Sequence, residues 1–209
     1  EHGFNNPKVL YNKNKVDIIL TGDSFTEGES VHSNESIGAV LRQLDFNAIS
    51  VGKGANGPLT ELASLKEYAE PLKPKIVLWL YTSNDLWDLS REMQSPLLRK
   101  YLNEDDYSQN LISRQEEIDD VLINYVQGEW EEEMEKEEVK GVIINLLKLT
   151  YLRRKINLKP KPKPTPTPIF RDILSKSKQM VSVWDGKMYR SKHRKRAKPH
   201  FFVSGWGRA

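Results

Sequence analysis

The sequence predicts an α/β domain: a parallel sheet covered by helices. Apolar, partly β-branched runs at 16–20, 46–51 and 75–81 each stop at a glycine-bearing or polar loop. The first two loops lead into apolar residues at helical spacing, and three such units in succession argue for parallel strands with helical crossovers.

Val16-Asp17-Ile18-Ile19-Leu20 reads as a buried first strand ending at Thr21-Gly22-Asp23. Asn34 offers an N-cap, and Ile37, Val40, Leu41 and Leu44 then place a helix up to about Asp45. A second strand is expected over 46–51, followed by a glycine-rich loop over 52–58 and a helix carrying Leu59, Leu62, Leu65 and Ala69, which Pro71 and Pro74 close. Residues 75–81 give the third strand, ending in Thr82-Ser83-Asn84-Asp85. From about Ser108 the pattern turns helical, with Ile118, Val121, Leu122 and Tyr125 on one face, and residues 104–158 read as a helical insertion in a core spanning 1–158. Its acidic run at 129–138 reads as a solvated helix face. The alternating Lys-Pro and Thr-Pro stretch at 159–168 is an extended connector, because proline lacks the amide proton that helix and interior strand need. Residues 169–189 resume with a return helix and the start of a strand, and 190–209 form a basic, irregular tail.

A length of 209 residues suits one α/β domain with an appendage. The formal net charge of +3 conceals an acidic stretch at 115–140 and a tail after Asp185 without a single acid. Zero cysteines exclude disulfides, thiol nucleophiles and thiolate metal sites. No run approaches the ~18–20 apolar residues of a membrane span. The first residue is Glu1 and not Met, which suggests a fragment or processed form and leaves an upstream signal or anchor, and hence the compartment, open. Arg190, Lys192, Arg194, Lys195, Arg196 and Lys198 lie near Phe201, Phe202 and Trp206, but no recognised nucleic-acid motif accompanies them, so nucleic acid is not an expected partner.

A serine hydroxyl becomes a useful nucleophile when a turn exposes it, a base takes its proton and donors stabilise the oxyanion. Gly22 permits a tight turn at the carboxyl end of the first strand, where ligands gather in open α/β sheets, and Ser24 follows it.

Gly22-Asp23-Ser24-Phe25-Thr26-Glu27-Gly28 resembles the first sequence block of the SGNH (GDSL-like) hydrolases, a family of esterases, lipases and acyl-handling enzymes. Gly52-Lys53-Gly54-Ala55-Asn56-Gly57-Pro58 and Ser83-Asn84-Asp85 stand where that family has its second and third blocks. The resemblance implies a flavodoxin-like three-layer fold, Ser24 as nucleophile, and oxyanion donors from the Ser24 amide, an amide near Ala55 and the Asn84 side chain. Gly54 and Gly57 are the neighbours that serve if the register slips. Asp23 would buttress the serine turn and Asp85 the loop of Asn84. No metal or organic cofactor is implied, and the expected partner is a small-molecule or carbohydrate ester.

The family's fourth block, an Asp-x-x-His pair, is missing: none of the four histidines has an Asp three residues before it. His193 and His200 lie in the basic tail, His32 in a polar loop and His2 near the start of the chain, so the catalytic His and Asp are unassigned. The expectation is a truncated or frame-shifted carboxyl end. Two functions follow: a serine-dependent ester hydrolase or O-acyl transferase, impaired by that loss, or a catalytically silent SGNH-like binding domain.

Overall fold

The computed structural model describes residues 2–8, 10–11, 15–82, 84–127 and 168–192. Ser83, the acidic run at 129–138, the connector up to residue 167 and the tail from residue 193, with His193 and His200, lie outside them. The chain divides into two compact units, Glu1–Ile112 with Pro164–Ala209, and Ser113–Lys163.

The first unit holds a four-stranded sheet in the order β2-β1-β3-β4, parallel at every pairing. β1 (Ile18–Gly22) is buried throughout and lies between β2 (Ala48–Ser50) and β3 (Ile76–Tyr81), with Ile18 opposite both Ala48 and Ile76. The sequence expected β2 to span 46–51. It is shorter because the Asn47 amide bonds to the Asp17 carboxylate (3.1 Å) and the Phe46 amide bonds back to Leu41 O (3.1 Å). Its open edge is occupied by a side chain: Asn6 donates to Ser50 O (2.7 Å) and accepts from Ser50 N (2.9 Å), as a neighbouring strand would.

Between β1 and β2 come a single turn of helix, α1 (Ser24–Glu27), and α2 (Ile37–Gln43). The cap of α2 is Ser36 and not Asn34: the Ser36 hydroxyl accepts from Ala39 N at 3.2 Å, while Asn34 sits in the preceding turn and accepts from Gln43 through its carbonyl. α3 (Pro58–Ser64) begins with proline at its first turn, where no amide hydrogen is needed, and runs into a π-helical turn (Leu65–Ala69) closed by Glu70 N to Leu65 O at 3.0 Å. After β3 come α4 (Asp85–Glu92) and α5 (Pro96–Asn103), two helices not read from the sequence. Helix α6 covers 115–127 in the second unit, and its Val121, Leu122 and Tyr125 are exposed. α7 (Pro168–Val183) leads into β4 (Lys187–Lys192), which continues past Tyr189 and pairs with β3 over its whole length. Basic side chains do not interrupt it, because the pairing uses backbone groups alone and an edge strand leaves charges solvated.

The two faces of the sheet carry separate apolar clusters. Ile19, Ile49, Val77, Trp79 and Tyr81 pack with Leu59, Leu62 and Leu65 of the α3 region and with Phe170, Ile173 and Val181 of α7. Ile18, Leu20 and Ala48 pack with Ile37 and Leu41 of α2. On this second face Ile76, Leu78 and Leu80 of β3 are only partly buried. Among the described residues no helix is long and apolar enough to cross a membrane.

Within the sheet-bearing unit, residues 104–112 are tied down by Lys176, which donates to Glu104 O (3.1 Å) and pairs with Asp105 (2.8 Å), and by Glu67. Glu67, in the π-helical turn and 3% exposed, accepts from Tyr101 Oη (2.6 Å), Gln109 N (2.6 Å), Leu111 N (2.9 Å) and the Ser108 hydroxyl (3.0 Å). Burial pushes its carboxyl up, but these donors outweigh that and hold it below the usual Glu range. A depressed carboxyl stabilises the fold above its unfolded pKa and stops doing so as pH falls through the folded one. Glu67→Ala is therefore expected to lower stability at pH 7 by about 2–4 kcal/mol. Urea unfolding from pH 7 down to pH 3 should converge for wild type and variant; a gap of constant size would show that the carboxylate charge contributes nothing.

Candidate active site

The chain turns sharply where β1 ends. A Cβ on Gly22 would lie 2.1 Å from Thr26 Oγ1 and 2.7 Å from Leu80 O, so only glycine lets the strand end pass this close to both α1 and β3. Asp23 then caps α1, its Oδ1 accepting from Phe25 N at 3.0 Å. Ser24 is the first residue of that turn of helix and is half-buried. The Thr26 and Glu27 amides bond to Asp23 O, whereas the Ser24 amide and hydroxyl engage no donor or acceptor among the described residues. Gly28 ends the turn at φ +79°, where its amide bonds to Ser24 O.

The glycine-rich loop after β2 comes alongside. Gly52 lies so close to Thr26 that a Cβ would meet its side chain at 2.5 Å, and a Cβ on Gly54 would lie 3.9 Å from Ser24 Cβ. Ala55 adopts φ +65°, the left-handed conformation that favours glycine, which accounts for glycine being the residue the resemblance calls for. The amides of this loop are mostly taken. Lys53 N bonds to Gly22 O (3.2 Å), Gly54 N to Glu27 Oε2 (2.6 Å), Asn56 N to Lys53 O (3.1 Å) and Gly57 N to Glu92 Oε1 (2.8 Å). Gly54 and Gly57 thus have no spare amide hydrogen, while the Ala55 amide has no partner among the described residues.

At the end of β3 the polar side chains meet those of the serine turn. Asn84, the N-cap of α4, donates from Nδ2 to Asp23 Oδ2 at 3.2 Å. Thr82 Oγ1 lies 2.6 Å from Asn84 Oδ1, 2.7 Å from Asp85 Oδ1 and 2.9 Å from Asp23 Oδ2. One hydroxyl proton cannot serve three acceptors. Asp85, fully buried, is pushed up to about 7: burial is the main cause, hydrogen bonds from the Thr82 amide (2.8 Å) and hydroxyl oppose it, and the Asp23 and Asp88 charges add to it. A protonated Asp85 donates to Thr82 Oγ1 and frees the Thr82 proton for Asp23 or Asn84. Ser24, Ala55 and Asn84 thereby gather at the carboxyl ends of β1, β2 and β3, where the chain leaves the sheet to opposite sides of β1 and open sheets form their ligand crevice.

Two residues missed at the level of sequence shape this site. Glu92, 6% exposed, accepts from Gly57, Leu59 and Thr60 amides and from the Thr60 hydroxyl, satisfying the amino end of α3. Glu61 is fully buried and neither carboxyl oxygen has a hydrogen-bond partner. Burial, then the Asp85 and Glu92 charges, raise it well above the usual Glu range, and the nearby Trp79 indole opposes this without reaching hydrogen-bond geometry. A helical Glu at an otherwise apolar face of α3 was the one available signal.

His2 packs edge-on against Tyr11 with ring centroids 4.6 Å apart, and His32 is exposed in the turn before α2. Among the described residues no group of three or more His, Cys, Asp or Glu is disposed to hold a metal. Comparison of the chain with protein-family models, curated proteins and solved structures finds no match.

The raised Asp85 carboxyl has a consequence for stability. The folded protein keeps a proton that the unfolded chain has lost above about pH 4, so this contribution is complete below pH 4 and disappears as pH rises through about 7. Asp85→Asn, which reproduces the protonated carboxyl, is expected to match wild type below about pH 4 and to gain on it as pH rises, exceeding it by about 1–3 kcal/mol at pH 8. Parallel urea midpoints across that interval would show an Asp85 already ionised.

Proposed function

We propose that this chain is an SGNH-like, flavodoxin-like α/β hydrolase domain in which Ser24 attacks an ester carbonyl, making it a serine-dependent ester hydrolase or O-acyl transferase for small acyl or carbohydrate esters. The observation that carries the reading is that, among the described residues, neither the Ser24 hydroxyl on the first residue of a helical turn nor the Ala55 amide has a partner, while Asp23 holds the side-chain amide of Asn84. The strand order β2-β1-β3-β4 is that of the first four strands of a flavodoxin-type sheet, which supports the finer fold assignment.

In the proposed reaction Ser24 Oγ bonds to the carbonyl carbon, and the carbonyl oxygen takes the developing charge. The Ser24 and Ala55 amides donate to it, joined by the second Nδ2 hydrogen of Asn84, whose first is held by Asp23. The ester carbon–oxygen bond then breaks, the alcohol leaves with the proton that Ser24 gave up, and water or a sugar hydroxyl takes the acyl group and returns a proton to Ser24 Oγ. No cofactor enters. The compartment in which this happens is open.

A second reading has its own support. The sequence lacks an Asp-x-x-His pair, and neither described histidine bonds to Ser24. A serine without a base keeps the donor set and loses most turnover, leaving about a thousandfold over water in well-studied serine enzymes, which describes a silent binding domain.

A fluorophosphonate probe separates nucleophile from bystander. Labelling is expected in wild type, lost in Ser24→Ala and slowed about a hundredfold or more in Asn84→Ala; equal labelling of Ser24→Ala would reject the assignment. Turnover of a p-nitrophenyl ester that depends on Ser24 would in turn exclude the silent domain.

A further inference from the structure

The amides of residues 53–60 are distributed in a way that chance packing does not require. Glu27 lies in α1, the helical turn that Ser24 opens, and its Oε2 takes the Gly54 amide at 2.6 Å while its Oε1 is paired with the Lys53 ammonium. Glu92 lies in α4, the helix that Asn84 caps, and its two oxygens take the amides of Gly57 (2.8 Å), Leu59 (2.9 Å) and Thr60 (3.2 Å). A carboxylate from each helix therefore holds one side of the loop, and the Ala55 amide between them is left without a partner among the described residues.

We propose that Glu27 and Glu92 are positioning residues that fix the Ala55 amide relative to the Ser24 turn and the Asn84 cap. This rests on the serine reading above and adds to it the parts that hold the donors together. The fit is close on both sides. A Cβ on Gly54 would lie 3.3 Å from Glu27 Oε2, and one on Gly57 would lie 2.7 Å from Glu92 Oε2, so the two glycines mark where the carboxylates press against the loop. The positive φ of Ala55 belongs to the same design, since it turns one peptide out of the series that the glutamates absorb. Without Glu27 the Gly54 amide loses its acceptor one residue from Ala55, and on that side the loop keeps only the bond from Lys53 N to Gly22 O.

The experiment compares second-order fluorophosphonate labelling rates of the full chain for wild type, Ser24→Ala, Glu27→Ala, Glu27→Gln and Glu92→Gln. Glu27→Ala is expected to label about a hundredfold more slowly, the usual cost of a donor misplaced by about an ångström, with little change in unfolding midpoint. Glu27→Gln should recover most of the rate, because its amide oxygen still accepts from Gly54 N. Glu92→Gln, which keeps one acceptor oxygen of the pair, should fall between. A wild-type rate in Glu27→Ala, or a Glu27→Gln as slow as Glu27→Ala, would overturn the proposal. If wild type labels no faster than Ser24→Ala, the serine reading has failed. The loop geometry is then judged by amide hydrogen exchange: Gly54 exchange should accelerate in Glu27→Ala, and unchanged exchange overturns the clamp as well.

Discussion

Backbone that leaves the carboxyl end of the sheet has no strand to pair with, and an unpaired amide shielded from water is costly. Helix-borne glutamates meet this constraint in three places. Glu27 accepts from Gly54, Glu92 from Gly57, Leu59 and Thr60, and Glu67 from Gln109 and Leu111. In each case a helical element supplies the acceptor, while the donors are loop amides or, for Leu59 and Thr60, the first-turn amides of α3 that have no partner within their own helix. The Ser24 and Ala55 amides stand out against that background because neither has a partner among the described residues.

Glu61 is the counter-example that shows what the constraint costs when it is not met. It lies in α3, one residue beyond the amides that Glu92 satisfies, and is completely enclosed without a donor. Burial and the charges of Asp85 and Glu92 all disfavour ionisation and push its carboxyl well above the usual Glu range. Asp85 is a milder case of the same physics, with Thr82 donors that partly offset its burial. Violations of local rules concentrate at functional sites more than elsewhere in a fold, and here both raised carboxyls belong to the electrostatic neighbourhood of Asp23, the residue before Ser24.

The first three strands of the parallel sheet were legible because they are apolar and partly β-branched and end in glycine-bearing or polar loops, whereas β4 is largely basic and polar and only its start was read. The finer features were written in contacts between distant residues. Nothing local distinguishes Ser36 from Asn34 as a cap; the turn at 33–35, closed by Glu35 N to His32 O, decides it. The short β2 follows from Asp17 taking the Asn47 amide 30 positions away in sequence. At the proposed site, Ser24, Ala55 and Asn84 were singled out from motif blocks that follow strands. Glu27 and Glu92 were not, because an acceptor for a loop amide has no sequence signature of its own, and α4 and α5 follow a polar stretch that masks their apolar faces.

Asp23 is where the serine turn and the β3 loop become one object. One carboxylate oxygen holds the Phe25 amide of the turn, and the other receives Asn84 Nδ2 and faces the Thr82 hydroxyl. Engagement by Asp23 does not remove Asn84 from use, because a side-chain amide has two hydrogens and fixing one directs the other. Both oxygens of that carboxylate are engaged by groups other than the Ser24 hydroxyl. Donor placement and proton removal are therefore separate requirements in this fold. The segment from β1 to α4 contains the acceptors and turns that the proposed donor set needs, so that proposal does not depend on which residue would take the serine proton.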